Sequence, residues 1–431
     1  MKSPAAKKLF VMMVLEFFIW GAWLPLIFVY LPAMGLSEDE QKWILSAFPI
    51  AAIIGMFFSN QFADRNFAAE KFMSFSHLVG GLAIMALAWV KFDRPPVPAG
   101  EVAPALYDGP FWMFFILMSI HCLLYVPTIS IANSIAFSHM KDAQREFGIV
   151  RMGGTIGWIL AAWPIAYILY GKPTEEVVKA TSAIFIISGI ASLVLAAFSL
   201  KLPHTPANKA AGSDNLAWLK AAKLLSIPAI LVLFIVTFID STIHNGYFVM
   251  AGGFIGKVLS GAGYDPAWTT VVMSLGQVAE ILTMLILGAV LAKLGWRITL
   301  ILGIIGHAAR FAVFAFMPDN AWAIILIQLL HGICYAFFFA TVYIYIDAVF
   351  PKDIRTSAQG LFNFLILGLG DLAAKWVFIP LMGKYVTGNG LEGYKELFLW
   401  PTGMSLAAAV LLAIGFWPPK ELDPRNAKVS H

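Results

Sequence analysis

The chain has 431 residues, of which 60% are hydrophobic and only 13% charged, whereas soluble globular proteins carry about 25% charged residues. A mean hydropathy of +0.80 excludes a water-soluble enzyme, and the net charge of +4 gives no reason to expect a nucleic-acid partner. Apolar runs of roughly 20 residues, enough to cross a bilayer as helices, recur along the whole chain. The composition therefore predicts an all-α polytopic membrane protein rather than a barrel of short alternating strands.

Twelve apolar runs predict twelve membrane-spanning helices, numbered here as spans 1 to 12. In chain order they cover residues 9–31, 42–62, 72–92, 111–137, 148–170, 180–200, 225–255, 266–292, 297–317, 321–349, 356–385 and 396–417. Most Lys and Arg residues fall on the side that holds the termini and the even-numbered connections, which predicts that both termini are cytoplasmic. The first run lacks a cleavage site of small residues, so we expect it to be retained as a helix.

The second six spans repeat features of the first six. His121 and Tyr125 in span 4 recur with the same spacing as His331 and Tyr335 in span 10. Transporters are often built from such repeats. We therefore predict two six-helix halves around a central cavity. The expected boundaries are residues 1–203 for the first half, 204–222 for a cytoplasmic linker and 223–431 for the second half.

Basic connections follow spans 2 and 8. The first contains Asp64 and Arg65, and the second contains Gly288 and Gly295 with Ala292 at the acidic position. Six plus six helices, a central linker and these two loops resemble the major facilitator superfamily. The resemblance implies a secondary transporter that works by alternating access.

Ionisable side chains inside the spans are candidates for function, because each costs roughly 2.5–3.5 kcal/mol at the bilayer centre. The set comprises Glu16, Arg151, Asp240, Glu280, Arg310, Asp371 and Lys375. Arg310 lies near the end of span 9, so we expect it to snorkel towards the interface in a structural role. Asp371 and Lys375 are four residues apart, and either neutralise each other or take part in gating or coupling.

Two polar patches predict a site for a solute with a flat ring and hydroxyl groups. Arg151, Thr155 and Trp158 share one face of span 5, since they are spaced by four and three residues. Gln277 and Glu280 form a second patch near mid-depth in span 8. Asn245 in span 7 and Tyr335 in span 10 add polar groups from the second half.

Several motifs resemble the nucleoside:proton symporter family of the major facilitator superfamily, and the similarity covers nearly the whole chain. They are Phe17-x-x-Trp20-Gly21-Ala22-Trp23, Tyr125-Val-Pro127-Thr128, Arg151-x-Gly-Gly154-Thr155-Ile-Gly157-Trp158, Ser274-x-x-Gln277-x-x-Glu280 and Arg355-x-Ser357-Ala358-Gln359-Gly360. The resemblance implies nucleoside import with protons, through a site built by spans 5, 7, 8 and 10. Carried over to this chain, the expected nucleoside contacts are Arg151, Thr155, Trp158, Asn245, Gln277 and Glu280.

The chain also departs from that family pattern, with Trp158 where a phenylalanine is usual and at three further positions. Thr242 stands where glutamine is expected, His331 where tyrosine is expected, and Ala336 where an aspartate linked to proton coupling is expected. We keep Thr242, His331 and Tyr335 as substrate candidates. The candidate proton carriers are then Glu280, Asp371 and Glu16, and we favour Glu280 because it lies near mid-depth, one turn from Gln277.

Other functions were weighed against nucleoside import. The same fold would suit a sugar or a cell-wall fragment, or export. Gly368-Leu-Gly370-Asp371 matches a motif of intramembrane aspartyl proteases, but its partner would be Asp347, which lies roughly 20 Å away in depth. We instead expect Asp347 with Arg355, and Asp64 with Arg65, to form gate or structural ion pairs.

The remaining expectations concern cofactors, partners and location. The sequence has neither a P-loop nor a His, Cys and acid cluster with metal-ligand spacing, so we expect no cofactor and no metal. The expected partners are a nucleoside, the proton and the lipid bilayer, without nucleic acid. We expect a monomer in the inner membrane that is a transporter and not an enzyme.

Overall fold

The computed structural model describes residues 4–55, 66–94, 101–140, 143–207, 222–350 and 355–426. Every secondary-structure element in these ranges is helical. Ten of the helices are long and apolar enough to cross a membrane. The predicted all-α polytopic class is therefore confirmed.

The helices follow the predicted spans with shifts of a few residues at their ends. In the first six spans they are Pro4–Ala33, Glu38–Ile54, Ala69–Ala86, Gly109–His139, Ala143–Leu169, and Thr174–Thr181 followed by Ala183–Ser199. In the second six they are Pro228–Gly261, Thr269–Phe316, Ala321–Leu326 through Thr341–Val349, Arg355–Asn363 through Gly370–Val386, and Gly390–Gly415.

Ten long helices are consistent with twelve spans for two local reasons. The helix Thr269–Phe316 is divided at Gly295, whose φ of 73° lies in the left-handed region that favours glycine, and it contains spans 8 and 9. Span 2 is the helix Glu38–Ile54, whose 17 residues fall just short of the 18 required of a membrane-crossing helix. The rest of predicted span 2, together with Asp64 and Arg65, lies outside the described residues.

An ion-pair network fixes the starts of spans 2 and 4. Ser37 and Glu40 form a reciprocal cap of span 2, and Asp108 caps span 4 by accepting from the backbone N–H of Phe111. Arg94 joins the two caps, at 2.8 Å from Glu40 and 2.9 Å from Asp108. Burial acts to raise the pKa of Glu40, but hydrogen bonds from Arg94 and from the backbone N–H groups of Ser37 and Tyr107 outweigh burial and lower it to about 2.

Spans 10 and 11 each contain a π-helical turn that the sequence did not predict. These turns are Tyr335–Ala340 and Phe364–Leu369. In the second, side chains of span 7 bind the carbonyl groups that the wider turn exposes: Ser241 donates to Leu365 at 3.3 Å and Asn245 to Ile366 at 3.1 Å. Such turns are frequent at functional sites.

Contacts within the chain divide it into two compact units. The first comprises Met1–Ser213 and Phe248–Ser274, and the second comprises Asp214–Tyr247 and Leu275–His431. The second part of span 7 and the start of span 8 are thus grouped with the first unit by contacts. The half boundaries at residues 203 and 223 stay a prediction.

Two segments follow the last span of each half, and we call them the return segments: His204–Thr205 and Asp423–Arg425. Each contacts residues at the start of the third span of its half. In the first, His204 and the backbone N–H of Thr205 bind Glu70 at 2.7 and 2.9 Å, next to the start of span 3. In the second, Asp423 and Arg425 pack so closely over Gly295 that a Cβ atom there would lie 2.8 Å from the Arg425 guanidinium. Each segment fastens the entry to the third span of its own half.

Candidate functional site

The stripe on span 5 forms a half-buried surface in the first unit. Arg151, Thr155 and Trp158 all keep part of their surface exposed. The indole of Trp158 meets the ring of Trp20 edge-on, with centroids 5.4 Å apart, and it meets Phe248 in the same way at 5.8 Å. The predicted stripe thus lies beside an aromatic cluster.

Glycines and stacked rings hold this stripe in place. A Cβ atom at Gly21 would lie 3.1 Å from the Cα atom of Trp158, so glycine there lets spans 1 and 5 approach closely. Trp20 stacks on Phe48 of span 2 at 4.7 Å. Trp20 was quoted in a family motif but not named as a site residue, and Phe48 was missed, since contacts between helices leave no local signal in the sequence.

The cation of the stripe also rests on an aromatic ring. The Arg151 guanidinium lies 4.2 Å from the centre of the Phe17 ring, a geometry that stabilises the charge. Arg151 is partly exposed, and its N–H groups are donors suited to the oxygen atoms of a sugar or base.

Glu16 forms a closed hydrogen-bond network in the first unit. It is fully buried, and its carboxylate binds Nε2 of His77 at 2.9 Å and accepts from the Thr128 hydroxyl at 2.8 Å. Nδ1 of His77 in turn binds Ser192 at 3.0 Å. Both carboxylate oxygens and both ring nitrogens therefore have partners.

Gln277 and His331 come together in the second unit. Their Nε2 atoms lie 3.3 Å apart, and a Cβ atom at Gly276 would lie 2.8 Å from Cβ of His331. A Cβ at Gly332 would collide with the backbone of Ala279 and Glu280. Small residues on both helices therefore allow spans 8 and 10 to touch at the predicted site.

Arg310 is a central member of this region, and the expectation that it would snorkel is wrong. Its side chain is 0% exposed, donates to Nδ1 of His331 at 2.7 Å, and lies 4.1 Å from the centre of the Tyr247 ring. Position along span 9 suggested the interface, but the direction in which the side chain leaves the helix decides burial, and it points into the unit.

The bond from Arg310 fixes the chemistry of His331 and Gln277. Because Arg310 can only donate, Nδ1 of His331 must accept, so a neutral ring carries its hydrogen on Nε2. That N–H needs an acceptor, which assigns the carbonyl oxygen of Gln277 to the side facing His331. The amide NH₂ of Gln277 then serves as a donor towards other groups.

A second acid–histidine pair lies next to these residues. Asp240 of span 7 binds Nδ1 of His307 in span 9 at 2.9 Å, and both side chains are fully buried. His244 lies between the rings: it stacks on His331 at 5.0 Å and meets His307 at 5.6 Å. His244 and His307 were not named from the sequence, because a single histidine in a span carries no signal of its partners.

The other predicted substrate residues differ in burial and in their hydrogen-bond and ring contacts. Thr242 is buried, and its hydroxyl donates to the carbonyl of Phe238 in its own helix. Asn245 donates to Ser241 and Ile366. The ring of Tyr335 lies 6.1 Å from that of His244, and Glu280 is partly buried one turn beyond Gln277.

The predicted ion pairs have different outcomes. Asp371 and Lys375 form a buried salt bridge within span 11. Asp347 is exposed, and the side chain of Arg355 lies outside the described part of the chain. Within the described ranges, no group of three or more His, Cys, Asp or Glu side chains is placed to hold a metal ion.

Long apolar helices and buried polar clusters within the spans define a polytopic helical membrane protein. The fold agrees with the crystal structure of the nucleoside transporter NupG, with a TM-score of 0.79 over 97% of this chain and 100% of that one, at 21% identity. The predicted major facilitator fold is thus confirmed.

Comparison of the sequence identifies the family. Residues 3–421 match the family model described as Nucleoside H+ symporter. The chain is 31% identical to YegT of Escherichia coli (strain K12), which is named as a candidate nucleoside transporter, over 96% of this chain and 92% of that protein. It is 25% identical to the xanthosine permease of the same organism, over 95% and 96% of the two lengths.

The chain belongs to the nucleoside H+ symporter family. It is a multi-pass transporter of the inner membrane that carries nucleosides together with protons, and it is not an enzyme.

Proposed function

We propose that this transporter imports nucleosides and holds them with the stripe on span 5 and the polar residues of spans 7, 8 and 10. The observation that carries the proposal is the half-buried surface of Arg151, Thr155 and Trp158 beside the Trp20 ring. A flat aromatic base with a hydroxylated sugar matches a surface that combines an indole, a cation and a hydroxyl group.

In the first unit, the base stacks on the indole of Trp158. Stacking of a base on an aromatic side chain contributes about 1–3 kcal/mol and tolerates different bases. Arg151 donates to base or ribose oxygens, and Thr155 adds a hydroxyl group. Trp20 and Phe48 keep Trp158 in position.

In the second unit, Gln277 and Glu280 recognise the polar edge of the nucleoside. With the amide assigned so that its oxygen accepts from His331, the Gln277 NH₂ group is left to donate. Glu280 accepts from the ribose hydroxyls, and Tyr335 borders the same region. His331 acts by orienting Gln277. Thr242 forms its hydrogen bond within span 7, and Asn245 joins span 7 to span 11.

The three acids named as proton carriers are in different situations. Glu16 is enclosed by His77 and Thr128, and Asp371 is paired with Lys375. Glu280 is the one that lies beside a proposed substrate contact, Gln277, and a role for it in proton coupling stays a prediction from the sequence.

Orientation and surroundings complete the proposal. Both termini lie in the cytoplasm, as the distribution of basic residues predicts. The protein works as a monomer, and its exposed apolar side chains contact lipid. Trp89, Trp322 and Ile414 exemplify them, with 63%, 62% and 71% of their surface exposed.

Uptake measurements test the proposed function. Cells that express the protein should accumulate radiolabelled uridine or adenosine, and a protonophore should abolish that accumulation. Radiolabelled xylose and empty-vector cells are the matched controls. Accumulation of xylose without nucleoside, or of neither, would contradict the proposal.

A further inference from the structure

The Asp240–His307 pair is buried and its hydrogen bonds are incomplete. Oδ1 of Asp240 meets Nδ1 of His307 at 2.9 Å, and both residues are 0% exposed. Oδ2 of Asp240 and Nε2 of His307 are also buried, and within the described part of the chain neither has an oxygen or nitrogen partner; the thiol of Cys334 lies beside His307. Burying a polar atom without a partner destabilises a protein unless the atom has a use. The pair therefore has an unused site for a proton, at Nε2 of His307.

The pair has several titratable and charged neighbours. His244 faces it from span 7, Cys334 and His331 face it from span 10, and Arg310 lies one turn further along span 9. Arg310 is the fixed positive charge of this group, because a guanidinium does not deprotonate in proteins. Two of its nitrogen atoms, Nε and Nη2, are buried without a partner among the described residues.

A short row of side chains joins the pair to the proposed nucleoside contacts. The ring of His244 lies 5.6 Å from His307 and 5.0 Å from His331. His331 then reaches Arg310 at 2.7 Å and Gln277 at 3.3 Å. A charge that appears at His307 is thus felt at Gln277 through side chains that are packed in a low-dielectric region.

In the equivalent pair of the first unit, every side-chain polar atom has a hydrogen-bond partner. Glu16 and His77 stand on spans 1 and 3, as Asp240 and His307 stand on spans 7 and 9. Thr128 and Ser192 take the remaining carboxylate oxygen and ring nitrogen. The first pair is thus a matched internal control for the second.

We propose that the Asp240–His307 pair binds the transported proton, which deepens the proposed function and rests on it. Without the proton, Asp240 is ionised and His307 is neutral, so the pair carries one negative charge. The proton binds Nε2 of His307, which makes an imidazolium whose Nδ1–H faces the carboxylate, and the pair becomes neutral. The change alters the field at Arg310 and His331, so nucleoside and proton bind together, and the same proton leaves from Nε2 after transport.

Nucleoside affinity against pH tests this assignment in purified protein. Because coupling is reciprocal, a protein that binds both ligands together must bind uridine more tightly as the pH falls, by about tenfold for a typical coupling free energy. Asp240→Asn and His307→Gln should abolish this pH dependence. In liposomes both variants should still exchange uridine, yet fail to accumulate it when a pH gradient is imposed.

His77→Gln is the matched control, because it removes the histidine of the closed pair. It should keep both the pH dependence of uridine binding and accumulation, even if the protein melts at a lower temperature. Accumulation by His307→Gln or Asp240→Asn that a protonophore still abolishes would overturn the assignment. Loss of coupling in His77→Gln with its retention in His307→Gln would also overturn it.

Asp240→Glu keeps the test decisive if the other two variants do not fold. It preserves the acid but changes its distance from His307, so the pH at which uridine affinity changes should move. An unchanged pH profile in Asp240→Glu would contradict the assignment. Wild-type protein that binds neither uridine nor adenosine would instead refute the proposed function itself.

Discussion

The two units place the same kind of pair in different surroundings. Glu16 meets His77 in the first, and Asp240 meets His307 in the second, each at 2.9 Å and each fully buried. In the first pair every side-chain polar atom has a hydrogen-bond partner, whereas Oδ2 and Nε2 of the second have no oxygen or nitrogen partner among the described residues. A fully satisfied network rigidifies a structure, and an incomplete one is a place where chemistry can occur.

The residues next to the proposed substrate contacts also differ between the two units. In the first unit, the residues next to the proposed substrate surface are aromatic, with Trp20 and Trp158 in contact. In the second unit they are polar, with Arg310, His331 and Gln277 joined by hydrogen bonds. We infer that the first unit mainly supplies binding surface, and that the second links binding to the proton.

Removing the acid of the closed network should have the largest effect on stability. Glu16→Ala leaves His77 and Thr128 buried without their partner, so we expect a loss of about 3–5 kcal/mol. Thermal melting of the purified protein in detergent measures it. Thr128→Val, which removes a single bond, should cost only about 1 kcal/mol. Equal melting temperatures for Glu16→Ala and wild type would show that the network is not structural.

The salt bridge of span 11 provides a second comparison within the second unit. Asp371→Asn or Lys375→Met alone leaves a buried charge unpaired, which should cost about 3 kcal/mol. If the two residues only neutralise each other, the double variant should regain both stability and uridine transport. A double variant that folds and binds uridine but does not transport it would place the pair in the mechanism.

Truncating the indole of the stripe should weaken binding without affecting coupling. Trp158→Ala should lower uridine affinity by about 1–3 kcal/mol, while the pH dependence of binding is kept. Trp163→Ala, on the same span but 52% exposed, is the control. Isothermal titration calorimetry with uridine measures the affinity of both variants. Unchanged affinity in Trp158→Ala would remove this residue from the site.

The smallest expected effect is on the pH dependence of stability, through Glu40 at the start of span 2. The pKa of Glu40 is lowered from an ordinary value of about 4.3 to about 2 in the folded protein. Its contribution to stability is therefore complete above pH 4.3 or so and disappears as the pH falls through about 2. Arg94→Met should flatten the dependence of melting temperature on pH in that range. A slope identical to that of wild type would contradict it.

The sequence predicts the spans and the charged residues well, but not their partners. Glu16, Asp240 and Asp371 were recognised because an acid in an apolar run is conspicuous in a sequence. His77 is 61 residues from Glu16, and His307 is 67 from Asp240, so only the packing of helices joins them. Lys375 was paired correctly with Asp371, because both stand on one helix face.

Rotation and winding of helices explain the remaining differences. Arg310 was expected near the interface, because its depth can be counted along span 9 but the side of the helix it leaves from cannot. The π turn Tyr335–Ala340 adds a residue to one turn of span 10, which shifts the faces of the residues that follow. A count of 3.6 residues per turn from Tyr335 therefore assigns those faces wrongly.

The return segments make contacts that are local to their own stretch of the chain. His204 and Thr205 bind Glu70, and Arg425 and Asp423 cover Gly295, so the partners of each contact lie on the same side of residue 207 in the sequence. A break in the linker after residue 207 would cut neither of them. A protein cut at that point is therefore expected to keep both of these contacts, since neither crosses the cut.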